Sequence, residues 1–339
     1  MKKNFAAPVL MLALAAAVYF GCQKEEEMTT GMIRGFVSDL AGSRLAGVSV
    51  LATPSDAQAL TNDSGYYEIT DLQPGDIQLR FGLSSYIPQE TLIAVAAGEV
   101  TTVNTMIEQS LRNVVGELLN TACHCADDDR YEARRLKSLY GSRFISIACH
   151  ASADPTFDSW DPFSCPGSES RRLYYADTFV IGAFMFFNGT TFLAGCGSYE
   201  PVLDSLLKTT SPLHMTLTGS YASSTRAGNV SVEITAVDTI IPVDLQVQFA
   251  LYEIGPIRYM PPSPPETLYH YVMVDLLTPE NLPISEGETK VIARDFLVPD
   301  TIGGTVPPFH AVNPEDIGIA VFVQSQESKE VLQAASIDF

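Results

Sequence analysis

The chain has 339 residues, of which 40 are Asp or Glu and 20 are Lys or Arg, so its formal net charge is −20. A chain this acidic repels phosphate backbones, and no basic aromatic patch interrupts the charge, so nucleic acid is excluded as an expected partner. The length predicts two or three domains, and a hydrophobic fraction of 46% is enough to fill packed cores.

The N-terminus has the pattern of a bacterial lipoprotein signal peptide. Two lysines precede an apolar run, and the small residue Gly21 comes directly before Cys22. The run is too short for a comfortable membrane-spanning helix, so we predict a signal peptide at residues 1–21 and lipidation of Cys22. Residues 23–27 (Gln-Lys-Glu-Glu-Glu) resemble the export tag that carries some Gram-negative lipoproteins to the cell surface. We therefore predict an outer-membrane protein, attached to the membrane through its lipid and facing the cell exterior. An ordinary secretory signal with a coincidental cysteine is the alternative.

An acidic tether at residues 22–30 leads into a predicted β-sandwich at residues 31–108. Apolar and polar residues alternate there in short runs, and clusters of Gly, Pro, Asn and Asp separate the runs at regular intervals. Short strands with turn residues between them at this spacing are typical of a small antiparallel sandwich.

The same segment resembles the carboxypeptidase regulatory-like family. The Gly-Val, Thr…Gly…Tyr and Leu-x-Pro-Gly motifs of that family match the stretches 47–50, 61–66 and 72–79. The resemblance implies a spacer or adhesion module, and some relatives bind carbohydrate. Three tyrosines could stack on a sugar, although alternating tyrosines in a sandwich are more often packing residues: Tyr66, Tyr67 and Tyr86.

The pattern changes near residue 110. A strand at 114–119 and a strand at 144–150 flank a segment with helical spacing, in which three aspartates begin the helix and Gly141 ends it. This order predicts a β-α-β unit with two parallel strands. A β-hairpin around Asn188-Gly189 and a helix near 199–208 follow.

Cys123-His124-Cys125 falls between the first strand and the helix, and with the β-α-β unit, the hairpin and the last helix it resembles a thioredoxin-like domain at residues 110–208. The segments 140–150 and 161–175 resemble secreted thioredoxin-like proteins, and 320–324 with 329–334 resemble an outer-membrane lipoprotein family named after a twenty-eight-kilodalton outer membrane protein. That family joins a thioredoxin-like domain to a C-terminal β-domain. Two departures weaken ordinary thioredoxin chemistry: the cysteine spacing is one residue short, and the stretch before the next strand has no proline.

Three hypotheses remain open for the cysteine motif. As a redox pair, Cys123 and Cys125 would lie at a helix N-terminus, which favours the thiolate, with His124 and His150 as supporting residues. As a metal site, Cys123, His124, Cys125 and His150 would offer ligands that suit Cu(I) or Zn(II). As structural residues, the cysteines would pair with distant partners, which are Cys149, Cys165 and Cys196.

Residues 210–339 alternate at period two in several runs and predict a second β-sandwich. The predicted fold class is therefore multidomain α+β: a β-sandwich, a central thioredoxin-like α/β domain and a C-terminal β-sandwich. The leading functional prediction is an interaction or adhesion lipoprotein, with other envelope or surface proteins or glycans as partners and no cofactor. The alternatives are an envelope thiol–disulfide oxidoreductase that uses Cys123 and Cys125, and carbohydrate binding through the N-terminal sandwich.

Overall fold

A computed structural model describes residues 29–120, 127–151, 161–175, 183–194, 199–259 and 267–339. Strands make up 52% of the structure and helices 12%. Within these ranges no helix has the length and apolar character needed to cross a membrane.

The described ranges contain three α-helices and a series of strands, numbered here in chain order. The helices are α1 (Asp127–Tyr140), α2 (Pro166–Tyr175) and α3 (Glu200–Leu206). The strands of the first part are β1 (Gly31–Ser38), β2 (Ser49–Thr53), β3 (Ala57–Leu60), β4 (Tyr66–Leu72), β5 (Gly75–Gly82), β6 (Gln89–Val95), β7 (Val100–Thr102) and β8 (Thr105–Met106). The later strands are β9 (Val114–Asn120), β10 (Phe144–His150), β11 (Phe184–Phe187), β12 (Thr191–Ala194), β13 (Leu213–Ala222), β14 (Ala227–Ala236), β15 (Leu245–Glu253), β16 (Ile257–Tyr259), β17 (Thr267–Tyr269), β18 (Val272–Asn281), β19 (Thr289–Leu297), β20 (Thr301–Ile302), β21 (His310–Ala311), β22 (Ile317–Ser325) and β23 (Val331–Asp338).

The first eight strands form the predicted N-terminal β-sandwich. One sheet has the order β4-β1-β7, with β8 also paired to β1, and the other has the order β3-β2-β5-β6. Alternate residues of each strand point inward, as the burial of Ile77, Leu79 and Phe81 along β5 shows. These side chains and their counterparts on β1, β2 and β4 fill a closed apolar core. The sandwich prediction is confirmed.

The rest of the chain is organised around one eight-stranded sheet, in the order β12-β11-β9-β10-β18-β15-β22-β23. The predicted parallel pairing of β9 with β10 is confirmed over seven residue pairs, from Val114–Phe144 to Asn120–His150. The predicted hairpin is confirmed as well, because β11 and β12 pair across a turn in which Asn188 and Gly189 both have positive φ.

The predicted fold class is wrong. The molecule is mostly β with three short helices among its described residues, and a separate central thioredoxin-like α/β domain is not supported. The reason is a contact between residues that are far apart in sequence: Ala148 of β10 pairs in parallel with Val272 of β18, which joins the strands of the middle segment to those of the C-terminal segment. The two segments that were predicted as separate domains therefore share one sheet.

Both faces of the eight-stranded sheet are covered. On one face, α1 and α3 pack on Val114, Leu118 and Phe144. On the opposite face, α2 packs against β10 and β18, and the three-stranded sheet β13-β14-β19 packs on the C-terminal strands of the large sheet. Alternate residues of β9 thus enter two different cores, as the period of a strand requires.

A direct junction joins the N-terminal sandwich to the second body (residues 110–339). Ser110 is buried, its amide donates to the carbonyl of Ser85 at 2.8 Å, and its carbonyl accepts from the amide of Ser211 at 2.8 Å. The Ser85 hydroxyl also donates to the Asp238 carboxylate at 2.8 Å. These hydrogen bonds fix the chain where it passes from one body to the other.

Candidate functional site

Most of the cysteine and histidine residues singled out from the sequence lie outside the described residues. These are the lipidation residue Cys22, the redox candidates Cys123 and Cys125, and the supporting or ligand candidate His124. Cys196 lies outside them as well. His150 is described, and it is the last residue of β10.

His150 is fully buried in a polar and aromatic cluster. Its Nδ1 lies 3.2 Å from Oδ2 of Asp161, which is also fully buried, and Asp161 Oδ1 accepts the amide of Phe163 at 2.9 Å. The imidazole lies against the rings of Phe163 and Tyr269, with centroids 5.1 and 5.5 Å away. The carboxylate therefore holds the ring in one orientation.

Two polar atoms of this cluster have no hydrogen-bond partner among the residues that the structure describes. They are Nε2 of His150 and the hydroxyl oxygen of Tyr269, and both are buried. Burial raises the pKa of Tyr269 to about 12, so the phenol is protonated at neutral pH. Unpaired buried polar atoms are rare in native proteins, so this cluster is a candidate functional site.

A second imidazole–carboxylate pair also contacts Phe163. Nε2 of His310 is 2.8 Å from Oε2 of the buried Glu253, and the His310 ring lies 5.1 Å from that of Phe163. Across the described ranges, however, no group of three or more His, Cys, Asp or Glu side chains is arranged to hold a metal ion. The proposed ligand set of four is therefore represented only by His150.

The two described cysteines, Cys149 and Cys165, are free thiols in the core. Burial raises the pKa of the Cys149 thiol well above its ordinary value, and burial also raises that of Cys165. The Cys165 sulfur accepts the amide of Ser168 at 3.4 Å in the first turn of α2. The structural hypothesis, in which Cys123 and Cys125 pair with distant cysteines, is not supported for Cys149 and Cys165 as partners. Both of these thiols are protonated at neutral pH, which makes them poor nucleophiles.

A buried ion pair of the second body is also internal. Arg171 of α2 donates two hydrogen bonds of 2.6 Å to the carboxylate of Glu117 on β9, and both side chains are at most 3% exposed. Tyr175 donates to the same carboxylate, and Gln324 donates to the Tyr175 hydroxyl at 3.2 Å. Burial alone would lower the pKa of Arg171, but the charge of Glu117, its hydrogen bonds to the guanidinium and the nearby Tyr175 together offset burial, so the pKa is raised. This group ties a helix to a sheet and leaves little donor capacity for a ligand.

An accessible concave site occurs instead at the junction of the two bodies. This cavity of about 450 Å³, called the junction cleft below, has one wall from the N-terminal sandwich and one from the second body. Its lining residues are Gly47, Ser49, Leu51, Arg80, Gly82, Leu83, Ser84, Tyr86, Pro88, Ala236, Val237, Glu286 and Gly287. A volume of this size is within the range of small-ligand pockets.

The three tyrosines proposed as sugar contacts have different environments. Tyr67 is 1% exposed and donates to the carbonyl of Val103 at 2.9 Å, so it is a core residue. Tyr66 packs edge-on against Phe36 and donates to Glu68. Only Tyr86, which is half-buried, lines the junction cleft.

A second cavity of about 510 Å³ lies beside α2, against Cys165, Asp275, Ile302 and Phe309. Burial raises the pKa of Asp275. Neither cavity could be predicted from local sequence patterns, because each is built from segments more than a hundred residues apart.

Comparisons with known proteins agree with the N-terminal assignment. Residues 32–108 match the carboxypeptidase regulatory-like domain, so this part of the chain is a domain of that kind. No curated protein matches the chain.

Among solved structures, HBP35 of Porphyromonas gingivalis is similar with a TM-score of 0.49 and 12% identity over 68% of this chain and 76% of that one. A protein from Agrobacterium tumefaciens has a TM-score of 0.43 and 13% identity, over 68% of this chain and 95% of that one. GBS52, the minor pilin of Streptococcus agalactiae, has a TM-score of 0.21 and 22% identity, over 24% of this chain and 45% of that one.

Proposed function

We propose that this protein is a lipid-anchored interaction or adhesion protein of the bacterial outer membrane, facing the cell exterior. The signal-like N-terminus ending at Cys22 and the acidic residues after it support the anchor and the location. The carboxypeptidase regulatory-like domain at residues 32–108 supports a surface or interaction module. In this proposal the protein binds a partner and does not transform one.

The interaction role rests on one observation: the accessible junction cleft and the buried charged side chains lie in different parts of the molecule. Glu117, Arg171, His150 and Asp161 are all at most 3% exposed and hold elements of the second body together. The junction cleft contains an exposed guanidinium group, a carboxylate, hydroxyl groups and an aromatic ring. Such a mixture on an open concave surface suits recognition, since polar groups there fix the orientation of what binds.

The anchoring and location are tested with cells that produce the wild type and the Cys22→Ser variant. We expect the wild type to fractionate with the outer membrane and to be cleaved when intact cells are treated with an external protease. Cys22→Ser should lose the lipid mass and leave the membrane fraction. A wild-type protein that stays protected on intact cells would rule out the surface location, and a membrane-bound Cys22→Ser protein of unchanged mass would rule out the anchor.

Thiol–disulfide exchange through Cys123 and Cys125 is the second candidate function. The observation in its favour is Nε2 of His150, which has no hydrogen-bond partner among the described residues. His150 pairs in register with Asn120, the residue that directly precedes the segment with both cysteines. An imidazole with a free nitrogen is a competent proton acceptor. Against it, the shortened cysteine spacing and the three aspartates that follow disfavour a reactive thiolate.

A further inference from the structure

The junction cleft is a preformed space whose walls are held by hydrogen bonds between the two bodies. The amide of Ser85 donates to the carbonyl of Val237 at 3.3 Å, and its hydroxyl bonds Asp238 at 2.8 Å. On the second body, the amide of Gly287 donates to the carbonyl of Ala236 at 2.9 Å. A ligand would therefore not need to order these walls, which lowers the entropic cost of binding.

Glycines leave the cleft open at three points. A Cβ built on Gly47, Gly82 or Gly287 would meet no atom within 4 Å. Gly47 and Gly287 have positive φ, at +75° and +82°, so turn geometry explains them. The backbone conformation of Gly82 does not require glycine. Any side chain added at this position would occupy part of the cleft.

The polar groups of the cleft include donors and acceptors, and each retains further capacity. Arg80 lies 3.6 Å from Glu90 and its side chain is 43% exposed. Glu286 accepts the hydroxyl of Thr239 at 2.7 Å through one oxygen, and Ser49 accepts Gln58 at 2.7 Å. The Ser49 hydroxyl proton, the other Glu286 oxygen and further Arg80 N–H groups are thus able to bond a ligand.

The apolar part of the lining is partly aromatic. Tyr86, Leu51, Leu83 and Pro88 are each half-buried and line the same space. Arg80 and Glu286 both line the cleft, so its two charged side chains have opposite signs and favour a ligand without net charge. A purely apolar ligand would leave the charged groups unpaired. A neutral ring with several hydroxyl groups suits both the polar and the apolar parts of the lining. Its hydroxyls donate and accept hydrogen bonds, while its C–H face packs on an aromatic ring.

We propose that the junction cleft binds a neutral saccharide, with a sugar ring against Tyr86 and its hydroxyls on Arg80, Glu286 and Ser49. This inference rests on the interaction role proposed above and names the chemistry of the partner. It assigns the binding site to the junction rather than to the N-terminal sandwich alone, because Glu286 belongs to the second body.

The test is titration calorimetry of the full mature lipoprotein in detergent, with cellohexaose, laminarihexaose, mannohexaose and chitohexaose as neutral probes and a sulfated heparin hexasaccharide as the anionic probe. We expect at least one neutral probe to bind the wild type and the sulfated probe to bind more weakly. Gly82→Leu fills the cleft from its open side and should weaken binding by at least about tenfold. Tyr86→Leu removes the ring but keeps an apolar side chain and should weaken binding by a similar factor.

Gln78→Leu is the matched control. Gln78 lies on the same strand and the same outward face as Gly82, but it does not line the cleft. It should bind like the wild type, and thermal unfolding should show all variants to be folded. The proposal is overturned if no neutral probe binds, if the sulfated probe binds best, or if both Gly82→Leu and Tyr86→Leu bind like the wild type. None of these results affects protease exposure on intact cells, so a failure here is distinguishable from a failure of the surface role.

Discussion

The N-terminal sandwich and the second body stabilise their folds by different means. The core of the sandwich is apolar throughout, and the buried polar side chains in its described range are Ser38 and Thr61. The second body buries Glu117, Arg171 and His150 within or beside its cores, together with acidic and amide side chains. The stabilisation from hydrophobic burial does not depend on pH or on single charges. Removing one partner of a buried ion pair, in contrast, strongly destabilises the fold.

This contrast also separates the polar groups that stabilise the fold from those that are accessible to a partner. In the second body, Arg171 and Glu117 pair with each other, His150 pairs with Asp161, and all four side chains are buried. At the junction, ordinary polar side chains are left partly exposed around an open space. Buried charge in this molecule therefore indicates how the fold is held, and exposed polarity indicates where a partner would bind.

The largest effect is expected from removal of one partner of the buried ion pair. Arg171→Met leaves the Glu117 carboxylate buried without its charge partner, which should cost about 3–5 kcal/mol of the free energy of unfolding. The melting temperature of the second body should fall by about 10 °C. Chemical denaturation, read separately for the two bodies, measures the loss.

The double variant Glu117→Leu/Arg171→Met provides the control for this experiment. Removing both charges replaces the pair with apolar side chains, so most of the lost stability should return. An Arg171→Met protein as stable as the wild type would show that the pair does not hold α2 on the sheet. An unchanged N-terminal transition in both variants would confirm that the effect is local to the second body.

A smaller effect is expected from pH, and only in the second body. All five histidines of the chain lie beyond residue 108. Burial lowers the pKa of His270 below its ordinary value of about 6.5, and Arg134 lowers it further. The unfolded chain therefore binds this proton more readily than the folded protein, so stability should fall as the pH drops from 7 to 5.5. Burial lowers the pKa of His214 as well, with the same sign.

Denaturation at several pH values checks this expectation. His270→Gln should reduce the pH dependence of the second transition between pH 5.5 and 7, because one of the two titrating groups is gone. The first transition should be flat in this window in every variant. A pH slope in the N-terminal sandwich, or a rise in stability on acidification of the second body, would contradict the account.

The smallest effect is expected from an exposed charge pair in the N-terminal sandwich. Arg80 and Glu90 lie 3.6 Å apart, and their side chains are 43% and 51% exposed. Water screens such a pair, so Arg80→Met should change the free energy of unfolding by less than about 0.5 kcal/mol. If Arg80→Met lowered the free energy of unfolding as much as Arg171→Met, the two bodies would not differ in how charge stabilises them.

Local patterns in the sequence were enough to predict much of the fold. The sandwich follows from strand alternation and turn residues such as Gly65 and Gly75, and the parallel β9–β10 pair follows from the strand–helix–strand order. The joining of two predicted domains in one sheet could not be predicted, because no local sequence pattern indicates that Ala148 pairs with Val272.

The same limit applies to the candidate site. Glu117 within an apolar strand has the appearance of an outward-facing residue, and only the fold brings Arg171 to it. The Asp161 partner of His150 lies beyond a stretch with no helical or strand period. Tyr86 was named from its residue type alone, but Glu286 could not be placed beside it, since two hundred residues separate them.

The claim that this protein binds a partner rather than reduces one is tested most directly by an insulin-reduction assay with dithiothreitol as the electron source. Cys149→Ala serves as a control variant, because Cys149 is fully buried and its thiol pKa is raised by burial. We expect the wild type, Cys123→Ser and Cys149→Ala to reduce insulin no faster than dithiothreitol alone. Rapid reduction by the wild type that Cys123→Ser abolishes and Cys149→Ala preserves would contradict the account and identify the protein as a thiol–disulfide oxidoreductase.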